Sequence, residues 1–168
     1  MFQGSINEAH ARQFAFTGQR PYSTIAQLRV GQFREALLFE KPIVHVEPAQ
    51  DKIRTEHYVP LHPQVAGVMR ILCDGGEDRA RMFMLESFRK WMRKQRLPLT
   101  RCANHFVASD LRKFVEQWGD MVGWTQSNHA YILTHGVRGV EWSNYRHPLP
   151  EHVYDAYMKY WEGVRFIL

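Results

Sequence analysis

Five short segments hold the side chains whose chemistry suits a charged substrate. They carry arginines, a lysine, a histidine and a tyrosine, and they lie at 17–21, 51–54, 109–114, 134–136 and 142–147. Guanidinium groups can clamp the oxygens of an anion through paired hydrogen bonds, and a fixed donor aimed at developing charge is often the largest catalytic contribution. Taken alone, each residue is more typical of a solvated helix start, a surface ion pair or a satisfied polar group. Tyrosine is a weak nucleophile near its usual pKa of about 10.

The order of these residues along the chain is more informative than any one of them. They follow one another as Arg20, Lys52, Arg112, His135 and Tyr145. Over about residues 10 to 150, the set resembles the catalytic signature of the tyrosine recombinase (phage integrase) family. Thr-Gly-Gln-Arg-Pro resembles the first arginine box of that family. The lysine before a Val-Pro-Leu strand resembles its β-hairpin lysine, and Asp-Leu-Arg-Lys-Phe resembles its second arginine box. The Trp-Ser-Asn-Tyr-Arg-His-Pro segment is similar to the nucleophile segment of archaeal and archaeal-virus integrases.

The resemblance implies a role for each of the five residues. Arg20 and Arg112 would clamp the non-bridging oxygens of a DNA phosphodiester, and His135 would donate a further hydrogen bond to them. Tyr145 would attack the phosphorus, forming a 3′-phosphotyrosyl link and releasing a 5′-hydroxyl. Lys52 would be the general acid that protonates the leaving oxygen. Because the tyrosyl ester preserves the bond energy, rejoining would need no cofactor and no metal.

Two positions depart from the family pattern. Ser109 stands where the second box usually has a histidine, and His105 lies too far before Arg112 to take that place on a helix. Gly136 follows His135, whereas the family has the glycine before the histidine. Ser109 therefore favours an alternative hypothesis, a catalytically inactive DNA-binding relative or partner of a recombinase.

The remaining tyrosines are predicted to pack against apolar neighbours. Tyr154, Tyr157 and Tyr160 share the last predicted helix, and Tyr131 lies on the helix before it. Only Tyr145 combines a suitable distance from the histidine with a following x-His.

A basic run extends through the middle of the chain. The residues predicted to contact DNA there are Arg89, Lys90, Arg93 and Lys94. A solvated helix face would explain them equally well. Phosphate contacts along a duplex would instead give sequence-independent, salt-sensitive affinity.

Composition narrows the class of partner. Of the 168 residues, 45% are hydrophobic and 23% charged, which is typical of a globular chain. Lys plus Arg is 22 against 17 Asp plus Glu, so the net charge of +5 favours an anionic partner, here double-stranded DNA.

No apolar run approaches the ~20 residues of a bilayer span, and we expect no membrane partner and a cytoplasmic location, in a prokaryotic, archaeal or virus-infected cell. The histidine spacings lack the i, i+4 pair of a helical zinc site, and no metal site is predicted.

The hydrophobic pattern predicts a mostly helical α+β fold. Short β-branched or aromatic segments at 36–39, 43–46 and 57–61 predict a three-stranded antiparallel sheet near the N-terminal third, packed with a helical bundle. Helices are predicted at about 8–16, 21–28, 65–72, 82–92, 110–122, 127–134 and 150–164, with Ser109 as the N-cap of the fifth. The last helix would either pack on its own domain or dock on a neighbouring protomer.

No linker divides the chain, so we predict one catalytic domain over residues 1–168, with 1–5 a candidate cloning remnant. The first arginine box begins at Thr17, which leaves no room for the N-terminal core-binding domain of the resembling family. We therefore expect weak DNA binding from this chain alone, and a homotetramer on DNA from the full-length protein. A nucleic-acid-binding domain unrelated to recombinases is the third hypothesis, and a structure that places Arg20, Arg112, His135 and Tyr145 far apart would support it.

Overall fold

The helices and strands come from a computed structural model, which describes residues 5–54, 56–95, 105–133 and 150–165. The helices within these ranges are α1 (Ile6–Thr17), α2 (Val30–Ala36), α3 (Pro63–Leu72), α4 (Leu85–Lys94), α5 (Ala108–Met121), α6 (Gln126–Ile132) and α7 (Pro150–Trp161). The strands are β1 (Ile43–Val46) and β2 (His57–Pro60), and short 3-10 helices cover Ile25–Gln27 and Pro48–Gln50. The described chain is mostly helical with a small antiparallel sheet, as predicted.

The sheet has two strands in the described part of the chain, and the third predicted strand, at 36–39, is wrong. β1 pairs antiparallel with β2, with Val44 opposite Val59. Ala36 instead ends α2, and the backbone N–H of Leu37 donates to the Phe33 carbonyl at 2.9 Å. Leu38 continues the turn with a bond to the Glu35 carbonyl, so these amides are used locally and are not free to form a ladder.

Helix α1 lies at the centre of the hydrophobic core. It begins with a capping box in which the Ser5 hydroxyl accepts from the N–H of Glu8, and the Glu8 carboxylate accepts from the N–H of Ser5. Most of its side chains are buried, because α3, α4 and α5 all pack against it. Helix α2 packs on β1, and α7 packs on β2 and α6.

The last helix, α7, packs on its own domain. Its Tyr157 is buried and donates its hydroxyl hydrogen to the Phe16 carbonyl at 3.1 Å. The indole N–H of Trp118 on α5 donates to the Tyr160 carbonyl at 3.3 Å. The predicted packing role of Tyr157 is therefore confirmed, and of the two arrangements left open for this helix the structure has the intramolecular one.

Helix α4 begins later than the pattern predicts. The predicted start, Met82, lies before the helix, because its N–H donates to the Leu28 carbonyl at 2.9 Å. The N–H of Val30 in turn donates to the Ala80 carbonyl at 2.9 Å. These two bonds engage the backbone at 80–82 in a short antiparallel pairing, so the helix begins only at Leu85.

A buried histidine makes the core sensitive to acid. The His10 ring lies between Phe83 and Phe88, with ring centroids 4.5 and 4.1 Å away, and burial lowers its pKa from an ordinary 6.5 to about 3. The unfolded chain therefore binds a proton below pH 6.5 that the folded chain refuses until about pH 3. We expect the free energy of unfolding to fall by roughly 1.4 kcal/mol per pH unit across that window through His10. Denaturant titrations from pH 7 to pH 4 measure this slope.

The matched variant for this prediction is His10→Phe, which keeps a stacked ring and removes the titrating group. It should reduce the slope and leave the contribution of His62, whose pKa burial lowers to about 4. A variant slope equal to that of the native chain would contradict the role of His10.

Candidate functional site

Gly18 closes α1 and sets the position of the first arginine segment. It has a left-handed backbone with φ +58°, and its N–H donates to the Phe14 carbonyl at 2.8 Å. A Cβ at this position would lie 2.7 Å from Leu133 Cδ2 and 2.9 Å from Val115 Cβ. Glycine is therefore required by conformation and by contact, because α1 ends directly against α5 and the end of α6.

Gly18→Ala tests how much of the fold depends on this close approach. We expect the conformational strain to cost about 1–2 kcal/mol and the overpacking a further 1–3 kcal/mol of unfolding free energy. Gly75→Ala is the matched control, since Gly75 has φ +74° but nothing within 4 Å of its built Cβ. Urea denaturation should find the larger loss in Gly18→Ala, and equal losses would contradict the contact.

Arg20 lies beside a buried carboxylate. Its Nη1 is 3.6 Å from Asp51 Oδ2; the Asp51 side chain is inaccessible to solvent, and that of Arg20 is 22% exposed. Asp51 Oδ1 accepts from the Thr24 hydroxyl at 2.5 Å, and Oδ2 accepts from the N–H of Ile53 at 3.1 Å. One carboxylate thus holds together the arginine segment and the turn between the two strands.

Lys52 stands in that turn, next to Asp51 in the chain, and is exposed. The connection between β1 and β2 contains the 3-10 helix Pro48–Gln50 and also Arg54, which has φ 54°. The Asp51 bonds anchor the backbone on either side of Lys52, while its own side chain extends toward solvent.

Arg112 on α5 joins three helices. Its Nη1 donates to the Gly18 carbonyl at 2.6 Å, and its Nη2 donates to the Leu133 carbonyl at 2.5 Å. Both acceptors stand at C-terminal ends of helices, where carbonyls lack intrahelical partners. A guanidinium has five N–H donors, so further donors of Arg112 remain beyond these two bonds.

The two arginines lie close enough to influence each other. Burial lowers the pKa of Arg112 from 12.5 to about 10, and the positive charge of Arg20 lowers it further in the same direction. At neutral pH Arg112 still carries its charge. The fold thus brings together Arg20, Arg112 and the Lys52 turn from three distant parts of the sequence.

His135 and Tyr145, the other two predicted catalytic residues, lie outside the described residues. The described chain reaches Leu133, whose carbonyl Arg112 binds. Tyr131, two residues earlier, accepts a hydrogen bond on its hydroxyl from the N–H of Tyr58 at 2.9 Å, and burial raises its pKa to about 12. Its structural role is confirmed, since it ties α6 to strand β2.

The predicted N-cap role of Ser109 is wrong. Helix α5 begins at Ala108 after Val107, and the Asp110 carboxylate accepts from the Val107 N–H at 2.9 Å. Asp110 is the third residue of the helix, and its bond to the Val107 N–H is the reverse half of a capping box. Ser109 is instead exposed, one turn before Arg112.

The basic residues predicted to bind DNA occupy the outer side of α4. Lys90, Arg93 and Lys94 are exposed, opposite the buried Phe88 and Met92. This arrangement fits a solvated helix face and a phosphate-binding face equally.

The fourth basic residue of that set, Arg89, is partly engaged by its own protein. It pairs with Glu86 at 3.2 Å and places its Cζ 4.5 Å from the centre of the Tyr22 ring. Because Tyr22 is two residues after Arg20, α4 lies beside the first arginine segment.

Sequence reasoning missed Asp51 and Tyr22 as parts of this site. Asp51 stood in the singled-out turn, but only the fold reveals that it is buried against Arg20. Tyr22 follows the first box by one residue and carries no pattern of its own. Contacts between distant segments have no local signature in a single sequence.

No protein-family model, curated protein or solved structure matches this chain. Among the described residues, no three His, Cys, Asp or Glu side chains lie close enough to hold a metal ion. None of the described helices is both long and apolar enough to cross a membrane. What the site can do therefore has to be argued from its own residues.

Proposed function

We propose that this chain is the catalytic domain of a tyrosine recombinase, which cuts and rejoins double-stranded DNA through a 3′-phosphotyrosyl intermediate. The observation that carries the proposal is the convergence of Arg20 and Arg112 beside the Lys52 turn. Two fixed guanidinium groups suit the crowded, highly charged transition state of phosphoryl transfer.

Each step of the proposed reaction uses a group from this chain. The Tyr145 oxygen gives its proton to water and forms a bond to phosphorus while the bond from phosphorus to the 5′ oxygen breaks. Lys52 protonates the departing 5′ oxygen, and His135 donates a hydrogen bond to a non-bridging oxygen. Arg20 and Arg112 neutralise the charge that develops on those oxygens. Rejoining is the reverse attack by a 5′-hydroxyl, and it needs no cofactor.

A nicked suicide duplex tests the proposal. Loss of a short fragment beyond the nick removes the 5′-hydroxyl that would reverse the reaction, so the covalent intermediate accumulates. We expect a protein–DNA adduct that survives denaturing electrophoresis, with the DNA mass attached to the peptide that contains Tyr145. Stable DNA binding with no adduct at any protein concentration would overturn the proposal.

The alternative, a catalytically inactive DNA-binding relative, is favoured by one observation. Ser109 occupies the second-box histidine position and is exposed, and a serine hydroxyl is a poor proton donor at neutral pH. The alternative gives duplex binding without any covalent species, so the same suicide substrate distinguishes the two functions. In both cases double-stranded DNA is the partner. For the recombinase we also propose a homotetramer on DNA, acting in the cytoplasm.

The basic face of α4 makes a separate, quantitative prediction. Changing Lys90, Arg93 and Lys94 together to glutamine should reduce the slope of log affinity against log salt by about 3, since each lost phosphate contact on duplex DNA contributes roughly 0.9. Fluorescence anisotropy with one duplex at several salt concentrations measures the slope. Arg70→Gln on α3 and Arg79→Gln, both exposed, are the matched charge controls. An unchanged slope in the triple variant would assign α4 to the solvated surface.

A further inference from the structure

A cleft of about 560 Å3 opens between α4, the start of α5 and the segment that follows Arg20. Its walls are largely apolar and include Pro21, Met92, Phe106 and Val107. Tyr22 also lines it, with 53% of the residue exposed to solvent. Because the Tyr22 ring is accessible and lies beside apolar walls, a ligand with a flat face can stack on it.

Cationic groups surround the aromatic ring. Arg89 covers part of Tyr22, with its Cζ 4.5 Å from the ring centre, and Arg93 also lines the cleft. The single carboxylate among the lining residues of this cleft, Glu86, is paired with Arg89 at 3.2 Å, so its charge is balanced. A stacking ring with a cationic rim is the combination that sites for unpaired nucleotides use.

The location of the cleft connects it to the arginine pair. Pro21 directly follows Arg20, and Ser109, which also lines the cleft, stands one helical turn before Arg112. A phosphate held between the two arginines therefore has this cleft as its neighbour. The exposed Ser109 hydroxyl supplies a hydrogen-bonding group at the same edge.

We infer that the cleft binds an unstacked nucleobase of the strand whose phosphate lies between Arg20 and Arg112. The base lies against the free part of the Tyr22 ring, and its backbone phosphate faces Arg93. The position of that base rests on the proposed function, whereas base binding itself requires no cleavage. Such a site holds the broken strand after cutting, when its end can leave the duplex stack.

Two oligomers with the same backbone test the inference by fluorescence anisotropy at matched salt. One is a labelled thymidine octamer, and the other is an abasic octamer of equal length and charge. We expect the thymidine octamer to bind about tenfold more tightly, because base–aromatic stacking contributes on that scale. Tyr22→Ala should remove the preference, and Tyr22→Phe should retain it.

Phe39→Ala is the matched control, since Phe39 is 63% exposed and lines a different groove between α2 and the strands. It should leave the preference intact. Equal binding of the two oligomers by the native chain would overturn the base site without using any variant, as would an unchanged preference in Tyr22→Ala. Adduct formation on nicked DNA decides the recombinase proposal separately, so failure of one is distinguishable from failure of the other.

Discussion

A Tyr145→Phe chain is expected to form no covalent adduct with nicked duplex DNA while binding the same duplex with unchanged affinity. The substitution removes one oxygen atom, which is the proposed nucleophile, and keeps the ring. Without that oxygen no bond to phosphorus can form, so the loss is complete rather than partial. Denaturing electrophoresis detects the adduct, and anisotropy under native conditions measures binding.

Two further tyrosines serve as controls for this prediction. Tyr154→Phe on α7 removes a hydroxyl from a half-buried ring, and Tyr131→Phe removes the acceptor for the Tyr58 N–H. Both variants should still form the adduct, although Tyr131→Phe should be less stable because it leaves a backbone donor without its partner. An adduct in Tyr145→Phe would mean that another side chain is the nucleophile.

Local patterns predicted most of the helices, but residues 21–28, predicted as a helix, form turns and the short 3-10 helix Ile25–Gln27, and α2 was not predicted. The apolar periodicity at 65–72 and 150–164 corresponds to α3 and α7, because one buried face repeats through each helix. The segment 36–39 is as apolar as a strand, but Leu38 and Phe39 remain exposed after α2 ends. Side-chain type alone cannot distinguish a strand from an apolar helix end, since the choice depends on which backbone partners are near.

The sequence predicted which residues form the candidate site and their order along the chain, but it did not predict the contacts that hold them in place. Arg20, Lys52 and Arg112 were identified because their segments, in this order, resemble the boxes of the tyrosine recombinase family, and the fold brings these segments together. The buried Asp51 that links two of these segments became visible only in three dimensions, because its burial depends on Thr24 and on the turn at 51–54. An aspartate in a polar turn has no sequence feature that separates it from a solvated one.

Arg112 stabilises the fold and is also proposed to bind the reacting phosphate, so a substitution must be tested for both effects. Its bonds to the Gly18 and Leu133 carbonyls hold α1 and α6 against α5, so it stabilises the fold whatever else it does. Hydrogen bonds to charged groups contribute about 1.5–3 kcal/mol each. The same bonds fix the guanidinium plane, and a donor held in place by the protein needs no reorganisation when charge develops on a phosphate.

Arg112→Lys should lower the rate of adduct formation by about 10²–10³-fold, the usual consequence of removing one fixed donor from a developing oxyanion. Lysine keeps the charge but cannot form the two-pronged hydrogen bonds. Rates are compared per folded molecule, below the start of thermal unfolding, because the lost carbonyl bonds should also cost a few kcal/mol of stability. Lys113→Gln is the matched control: this exposed neighbour forms a surface pair with Asp110 at 2.8 Å, and its variant should keep the native rate. A native rate in Arg112→Lys would confine Arg112 to joining the helices and remove it from the chemistry.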